Sequence, residues 1–381
     1  EGTTCRHNVH YLYQGDIIYS VGRYAVIYSI INKNQSCFAC HMFDISALTL
    51  HPNRKIVATS DSDTNSRLIV WNSEDKKILF ADRMIGSNGT YLLTFSNDGK
   101  LLCALGNDRN HSLTVYNWAI KEVVMTSTTG RNPGLCCAFT NDSALVVGGD
   151  SYLFFWEKAS TGYIKHRGIF PPNQESIQTA ACAIGTASSV ISGTSHGTIL
   201  LWTGRSCVKY IQAHDTAVNC LFSSPQQIVS ACENSRIKMW SHRLEMHASH
   251  NANIFPSNSA VRSLCVSKDA STILFGTLGC NVCEISALDG ANIHMQPLVS
   301  SHSFGAINAV SPHPSEPLFY TAGDDGIVRK WSLERHGLIS EIENGDNTIT
   351  SLSSAVLDNQ VLIAAGFGGS TDNDKCGAFT I

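Results

Sequence analysis

The chain has 381 residues, of which 43% are hydrophobic and 15% are charged. Such a composition indicates a globular chain with a large core, and no apolar run reaches the roughly 18 residues of a membrane-spanning helix. The net charge is −4, from 27 basic and 31 acidic residues, and the sequence contains no block of Lys and Arg. We therefore expect a soluble protein, and the sequence argues against both a nucleic-acid partner and a membrane.

The amino terminus and the cysteines bear on the compartment. Residues Glu1–Asn8 contain neither the basic nor the apolar part of a secretory signal. The fourteen cysteines lie mostly inside apolar strand patterns, as in Leu135–Ala138. They are typical of buried free thiols in a reducing cytosol, because disulfide frameworks belong mainly to small secreted domains. We expect a cytoplasmic protein whose cysteines are reduced.

A repeating strand pattern begins at the amino terminus. Alternating segments predict four β-strands in the first unit, at His10–Tyr13, Asp16–Ser20, Tyr24–Ile30 and Ser36–His41. The third strand of this unit and of each later one closes on an aromatic residue, with a cysteine in the seventh unit. These closing residues are Tyr28, Trp71, Tyr116, Trp156, Trp202, Trp240, Cys283, Trp331 and Phe379. They are 38 to 48 residues apart, and nine units at that period predict an all-β propeller.

The last unit raises the question of how the ring closes. It supplies candidate strands at 349–356, 360–367 and 377–381, and no fourth strand follows. Because an exposed strand edge is a liability, we expect a strand from the amino terminus to complete this unit, in a ring of eight or nine blades. The alternative is a seven-bladed ring followed by the start of a second propeller.

The eighth unit, Ser301–Ser332, carries the clearest polar pattern. Asp325 lies six residues before Trp331, Thr321 lies four before Asp325, and His302 lies upstream. This spacing matches the His, Ser/Thr, Asp, Trp hydrogen-bond relay of a WD repeat, in which the hydroxyl bridges histidine and indole. We expect Trp331 to be a large buried ring and the relay to be scaffold.

A second relay is predicted in the sixth unit. His214, Ser230, Asn234 and Trp240 repeat the spacing, with Asn in place of Asp. Packing between neighbouring blades supplies most of the stabilisation of a propeller, so an incomplete relay is compatible with a folded blade. We therefore predict that these residues are structural and that none is catalytic.

Three short motifs suggest other chemistry. Cys37–His41 matches the C-x-x-C-H string of haem attachment, but an apolar strand at 45–50 follows directly, so we interpret it as the opening of a repeat. Cys280 and Cys283 would point to opposite faces of a continuous strand, which argues against a shared metal ion. Gly366–Thr371 lacks the Lys and the helix of a phosphate loop. We expect no cofactor, no metal, no small-molecule substrate and no enzymatic activity.

The amino-terminal residues carry a family resemblance. Cys5–Asn8, Tyr11-Leu12 and Gly15–Tyr19 occur in that order before a valine-rich strand. This order resembles the end of the HELP motif and the first blade of the echinoderm microtubule-associated protein-like (EML) proteins, and the resemblance runs to about residue 335. It implies a HELP-like tail at residues 1–7 and a WD-repeat propeller at residues 8–381.

The resemblance also implies a function. A member of this family would be a non-catalytic, cytoskeleton-associated scaffold for a protein partner, with tubulin as the first candidate. The family usually carries a coiled coil and a basic segment before this region and a second propeller after it. The alternatives are a WD-repeat scaffold of a ciliary or other multiprotein complex without tubulin contact, and a propeller enzyme with acid, base or metal ligands at one mouth of its channel.

The sequence does not identify the partner-binding face. The loops at Asp61–Arg67, Asn107–His111 and Ser370–Lys375 are all polar. Since loops carry contacts without disturbing the core, each is an equally good candidate.

Overall fold

The computed structural model describes thirteen ranges of the chain, and every regular element in them is a β-strand. These ranges are residues 7–64, 66–84, 88–140, 144–160, 162–172, 179–184, 189–251, 260–302, 305–334, 337–343, 348–358, 360–367 and 378–380. The predicted HELP-like tail, apart from its last residue, and the predicted loop at Ser370–Lys375 lie outside the described residues.

The strands form nine sheets that follow one another in chain order. Sheet 1 contains β1 (His10–Tyr11), β2 (Ile17–Val21), β3 (Tyr24–Ser29) and β4 (Asn34–Phe38). Sheet 2 contains β5 (Ile45–Leu50), β6 (Ile56–Asp61), β7 (Arg67–Asn72) and β8 (Ile78–Arg83). Sheet 3 contains β9 (Thr90–Phe95), β10 (Leu101–Gly106), β11 (Ser112–Asn117) and β12 (Glu122–Thr128). Sheet 4 contains β13 (Gly134–Phe139), β14 (Leu145–Gly149), β15 (Tyr152–Ala159) and β16 (Gly162–Arg167).

The remaining five sheets continue the pattern. Sheet 5 contains β17 (Thr179–Ile184), β18 (Val190–Thr194), β19 (Thr198–Thr203) and β20 (Ser206–Gln212). Sheet 6 contains β21 (Val218–Ser223), β22 (Ile228–Cys232), β23 (Arg236–Trp240) and β24 (Met246–Asn251). Sheet 7 contains β25 (Val261–Val266), β26 (Thr272–Thr277) and β27 (Val282–Ser286). Sheet 8 contains β28 (Ile307–Pro312), β29 (Leu318–Gly323), β30 (Ile327–Ser332) and β31 (Gly337–Glu343), and sheet 9 contains β32 (Ile349–Leu357), β33 (Gln360–Phe367) and β34 (Ala378–Thr380).

The chain divides into two compact units. Unit 1 comprises Glu1–Thr277 and Glu284–Ile293, and unit 2 comprises Leu278–Cys283 and His294–Ile381. Sheets 1 to 6 lie in unit 1, with β25, β26 and the end of β27. Sheets 8 and 9 lie in unit 2.

Within unit 1 each sheet contacts the next, and sheet 1 also contacts sheet 7 through β1 and β25. At this last contact the backbone N–H of Val9 donates to Ser263 Oγ over 3.0 Å. The seven sheets therefore form a closed series of contacts.

Among the described residues, β1 lies in sheet 1 as expected for the first unit, so it does not supply the fourth strand that we expected for the last unit. β1 pairs antiparallel with β2 in its own sheet, with His10 opposite Ile18 and Tyr11 opposite Ile17. Strand alternation shows where a strand lies in the sequence but not which other strand it pairs with, so the sequence alone could not decide this pairing.

The core of unit 1 lies between neighbouring sheets. Between sheets 1 and 2, for example, Ile18, Phe38, Leu48 and Trp71 belong to one buried cluster. The ring of Phe38 stacks on that of Trp71, with centroids 3.9 Å apart. Burying a side chain of this size contributes about 1.5–3 kcal/mol, so each blade is stabilised mainly by its neighbour.

A bulge recurs immediately before the closing aromatic residue of the third strand. The register with the fourth strand shifts directly before Trp71, Tyr116, Trp202, Trp240 and Trp331. Such a bulge bends the strand and increases its twist. In four of these sheets the indole N–H then donates to a hydroxyl of the second strand of the same sheet. In sheet 4 no shift is recorded between β15 and β16, and Trp156 donates instead to Ser127 of sheet 3, over 3.0 Å.

In unit 2 the first strand of sheet 8 is mostly exposed. The two sheets of this unit contact through β28 and β32, around a cluster that includes Tyr320, Val328 and Ile349. On β28, Ile307 and Val310 are 56% and 63% exposed, whereas the corresponding strand β25 of unit 1 is almost wholly buried.

Candidate functional site

The four residues of the predicted relay in sheet 8 lie in one chain of hydrogen bonds. Trp331 Nε1 donates to Thr321 Oγ1 over 2.7 Å, and Thr321 Oγ1 lies 2.8 Å from His302 Nε2. His302 Nδ1 lies 2.8 Å from Asp325 Oδ1. Burial opposes ionisation of Asp325, but its hydrogen bonds to His302 and Arg329 outweigh this effect and lower its pKa to about 2. The turn carboxylate is therefore ionised at neutral pH.

Arg329 joins this relay and was missed from the sequence. Its Nη1 donates to Asp325 Oδ2 over 2.6 Å and its Nε donates to Glu341 over 3.1 Å. Only 1% of its surface is exposed. The available signal was its position on β30 four residues after Asp325, because a buried arginine needs an acidic partner.

In the predicted relay of sheet 6 only part of the chain forms. Trp240 Nε1 donates to Ser230 Oγ over 2.8 Å, and this hydroxyl lies 2.7 Å from His214 Nε2. Asn234 forms a hydrogen bond through its backbone N–H, to Thr216 Oγ1 over 3.3 Å. Among the described residues His214 Nδ1 has no hydrogen-bond partner. Burial and the nearby Lys238 lower the pKa of His214 to about 4, so this histidine is neutral at pH 7.

A third relay, in sheet 2, was not predicted. His41 Nε2 lies 2.8 Å from Thr59 Oγ1, and Trp71 Nε1 donates to the same hydroxyl over 3.3 Å. His41 Nδ1 lies 3.1 Å from Asp61. Asp61 precedes Trp71 by ten residues rather than six, because it ends β6 instead of lying in the turn and the hairpin of sheet 2 is longer. The spacing therefore did not reveal it. The histidine of the C-x-x-C-H string at Cys37–His41 thus packs within a blade.

These relays contain the residue types of a hydrolytic triad, but their arrangement does not suit one. The hydroxyl of Thr59 is fully buried and that of Thr321 is 6% exposed. Each hydroxyl already accepts a hydrogen bond from an indole. A catalytic nucleophile must be reachable by a substrate carbonyl. The arrangement therefore holds the strands of one blade together.

Unit 1 contains a cavity of about 920 Å³, here named the central channel. It is lined mainly by the first strands of the sheets, and His7, His10, His51 and His242 lie on its wall. Burial lowers the pKa of His10 to about 4. Among the described lining residues there is no Asp or Glu, so these histidines lack the carboxylate that orients a general base.

The described residues contain neither a metal-binding cluster nor a membrane-spanning helix. Within the described ranges no group of three or more His, Cys, Asp and Glu side chains is arranged to hold a metal ion. Cys280 has a φ of +58°, which places it in the turn before β27 and not on a continuous strand with Cys283. No helix of the described residues is long and apolar enough to cross a membrane.

The two predicted loops inside the described ranges have internal roles. In Asp61–Arg67, the Asp61 carboxylate accepts from the backbone N–H of Arg67 over 2.8 Å. In Asn107–His111, the Asp108 carboxylate accepts from the backbone N–H of Asn110 over 2.9 Å and from that of Ser112 over 3.0 Å. The carboxylates of both loops thus stabilise their own turns, and the partner-binding face stays undetermined.

Comparison with known proteins agrees with this geometry. The family model of the echinoderm microtubule-associated protein first β-propeller matches residues 34–285, and that of the WD domain, G-beta repeat, matches residues 295–332. The boundary between the two matches falls close to the boundary between the two units.

Several relatives share this assignment. Echinoderm microtubule-associated protein-like 2 of Mus musculus is 25% identical over 353 residues, covering 88% of this chain and 53% of that protein. The 77 kDa echinoderm microtubule-associated protein of Strongylocentrotus purpuratus is 25% identical over 359 residues, covering 88% of this chain and 50% of that protein. The chain thus spans about half the length of the relatives it matches.

A solved structure supports the fold alone. A chain of the "Crystal Structure of Mitotic Checkpoint Complex" superposes with a TM-score of 0.60 at 14% identity, covering 74% of this chain and 91% of that one. The prediction of an all-β WD-repeat propeller is confirmed by this match and by the family models. Since the first family model covers more than half of the sequence, the chain belongs to the echinoderm microtubule-associated protein family.

Proposed function

We propose that this chain is a non-catalytic protein-interaction scaffold of the EML type, with tubulin as its first candidate partner. The observation that carries the proposal is the family match over residues 34–285. Relatives that align with 88% of the chain are named microtubule-associated proteins. A cytoplasmic, cytoskeleton-associated location follows from the same proposal.

The geometry supports a binding role over a catalytic one. The described hydroxyls of the relays are buried, and the channel histidines have no carboxylate beside them on the described wall. A propeller presents many loops on a rigid frame, which suits protein recognition. We therefore propose that contacts are made by surface loops.

The charge of the chain limits the mode of tubulin binding. Polymer binding through acidic tubulin tails calls for a basic surface and a steep salt dependence, whereas this chain has a net charge of −4. We expect weak binding or none to microtubules by the chain alone. Contact with the soluble dimer would use an interface of about 1,200–2,000 Å² with modest dependence on ionic strength.

Two parallel assays test the proposal. Co-sedimentation with stabilised microtubules is measured at several salt concentrations, and binding to soluble tubulin is measured by size-exclusion chromatography. We expect a complex with the dimer and little pelleting. Low-micromolar pelleting whose affinity falls steeply with salt would show that a basic determinant lies inside this chain, against the proposed mode.

Absence of both interactions would overturn tubulin as the partner. The favoured alternative would then be a WD-repeat scaffold of a ciliary or other multiprotein complex. Affinity capture and mass spectrometry would identify its partners.

A further inference from the structure

Three hairpin turns of unit 1 converge where sheet 1 meets sheet 7. They are the β1–β2 turn at 12–16, the β5–β6 turn at 51–55 and the β25–β26 turn at 267–271. Between them lies a pocket of about 630 Å³, here named the seam pocket, and its principal lining residues are Tyr11, Tyr13, Arg54, Lys268, Asp269 and Glu284. This volume is in the range of ordinary ligand pockets.

The walls of the seam pocket are fixed by hydrogen bonds between the turns. The Tyr11 hydroxyl donates to Glu284 and lies 2.9 Å from the Thr272 hydroxyl. Arg54 Nη2 donates to the carbonyl of Val266 over 3.1 Å, and the backbone N–H of Tyr13 donates to the carbonyl of Arg54 over 2.9 Å. The pocket is therefore organised before any ligand arrives, which lowers the entropic cost of binding.

The acidic residues of the pocket already have donors. Glu284 accepts from Tyr11. Asp269 accepts from the hydroxyls of Ser267 and Ser271, over 2.6 Å and 2.8 Å. The hydrogen bonds from these serines lower the pKa of Asp269 to about 2. Both carboxylates are thus engaged by neutral donors that belong to the pocket wall.

The basic residues are in a different position. Among the described residues neither Arg54 nor Lys268 has an acidic side chain within 4.0 Å, whereas the neighbouring Lys55 pairs with Glu74 over 2.9 Å. The ammonium groups of Lys55 and Lys268 lie 4.6 Å and 5.2 Å from the centre of the Tyr13 ring. Arg54 and Lys268 therefore form no ion pair with a described carboxylate, although Asp269 and Glu284 line the same pocket.

We propose that the seam pocket binds the acidic side chains of an extended peptide segment of a protein partner. Arg54 would bind a carboxylate through its guanidinium, and Lys268 would bind a second one beside the Tyr13 ring. A carboxylate is the anion that the side chains of a protein partner supply, and inorganic phosphate is the alternative that the experiment distinguishes. This inference rests on the proposed function only in taking the partner to be a protein.

The probe is a fluorescein-labelled hexaglutamate peptide, and its binding to the full chain is followed by fluorescence anisotropy. We expect binding in low salt that weakens as the salt concentration rises. Lys268→Gln and Arg54→Gln should each weaken it about threefold to fivefold, the range expected for one exposed charge pair. Lys268 is exposed, so its substitution leaves the fold intact even if Arg54→Gln disturbs the seam.

Lys158→Gln is the matched control, because this exposed lysine lies on β15, far from the pocket in the sequence of sheets. It should leave hexaglutamate binding unchanged. Equal losses for Lys158→Gln and Lys268→Gln would overturn the site, as would the absence of hexaglutamate binding at millimolar concentration in low salt.

Two competitors test the chemistry. The first comparison is between inorganic phosphate and acetate. If phosphate displaces hexaglutamate at concentrations where acetate does not, the preferred ligand is a phosphate and the carboxylate proposal is wrong. The second competitor is a hexalysine peptide. If it binds more tightly than hexaglutamate and Glu284→Gln weakens its binding, the pocket binds basic rather than acidic side chains.

The outcome is separable from that of the proposed function. If hexaglutamate binding depends on Lys268 but the chain does not bind tubulin, the proposal for the seam pocket stands and tubulin is not the partner. Tubulin binding without any hexaglutamate binding would do the reverse.

Discussion

The relays of sheets 8 and 6 have the same spacing and different outcomes. In each, a hydroxyl lies four residues before the turn residue, a cation four after it and a tryptophan six after it. With Asp325 at the turn, histidine, carboxylate and a buried Arg329 form one ionic network. With Asn234 there, His214 Nδ1 has no described partner, and Lys238 donates to the carbonyl of Ala213 over 2.6 Å.

The difference shows that the relay has two separable halves. The bonds among indole, hydroxyl and histidine form in both sheets, with closely similar distances. The ionic half depends on a single carboxyl group. A WD-repeat blade can therefore keep its hydroxyl bridge after losing its charge pair.

The largest expected effect comes from removing the turn residue of each relay. Asp325→Ala leaves Arg329 buried without its closest carboxylate, so we expect a loss of about 3–5 kcal/mol in the free energy of unfolding unit 2. Asn234→Ala removes no described side-chain bond, so we expect a loss below about 1 kcal/mol. Hydrogen exchange of peptides from β29–β30 and β22–β23 during urea unfolding measures both. Equal losses would contradict the division into two halves.

A smaller effect is expected at the two tryptophans. Trp240 is 5% exposed, whereas Trp331 is partly exposed, stacking on Phe319 with centroids 6.2 Å apart. Trp240→Phe removes the buried indole N–H and its hydrogen bond to Ser230, which keeps its bond to His214. We therefore expect about 2–3 kcal/mol of destabilisation, and about half of that for Trp331→Phe. Thermal melts of the two variants beside Trp71→Phe provide the comparison. A larger loss at Trp331 would show that its exposure is misjudged.

The pH dependence should separate the two relays further. The folded pKa of Asp325 is lowered from 3.8 to about 2, so its stabilisation is present above about pH 4 and is lost as the pH falls towards 2. The folded pKa of His214 is lowered from 6.5 to about 4, so the unfolded chain binds this proton first and stability falls between pH 6.5 and 4. Denaturation curves from pH 7 to 2 measure both windows. Asp325→Asn should reduce the lower loss and His214→Gln the upper one, since Asp269 and His10 titrate in the same two windows. A curve unchanged by either substitution would refute that assignment.

The smallest effect is a gain. Asn234→Asp places a carboxylate where sheet 8 has Asp325, within the same spacing from His214, Ser230 and Trp240. We expect sheet 6 to gain about 0.5–1.5 kcal/mol, the value of one added hydrogen bond, and the pKa of His214 to rise. Denaturation midpoints and a histidine NMR titration measure these changes, with Asn234→Ser as the neutral control. A lower midpoint with an unchanged titration would show that the side chain at 234 does not reach His214.

Much of the fold could be predicted from the sequence, because strand alternation and the closing aromatic residues are local signals. The predicted strands 349–356 and 360–367 differ from β32 and β33 by at most one residue at their ends. The hydroxyl bridges of the two predicted relays also follow from spacing. In contrast, Asp61 was missed because a longer hairpin moved it out of the expected spacing.

The remaining errors concern contacts between distant parts of the chain. The fourth strand expected for the last unit is not supplied by β1, because alternation carries no information on which strands are neighbours. Trp331 was expected to be buried like Trp71, which is covered by Phe38 of the preceding sheet. Within unit 2, sheet 8 is the first sheet, so the unit supplies no preceding sheet to cover Trp331. The seam pocket could not be predicted either, because its three turns are far apart in the sequence.

The contact between sheets 1 and 7 also has a consequence for biosynthesis. Val9 and Ser263 are 254 residues apart, so a ribosome adding about 5–20 residues per second needs between roughly 13 and 50 seconds to make one after the other. Throughout that time the surface of sheet 1 that contacts sheet 7 in the folded chain is exposed to solvent. Nascent chains therefore depend on protection from aggregation until sheet 7 is made and contacts sheet 1. In a circular permutant with its termini between two other sheets, a different sheet surface would stay exposed during synthesis. Comparing the yield of folded protein with its free energy of unfolding would separate the effect of this delay from the stability of the folded chain.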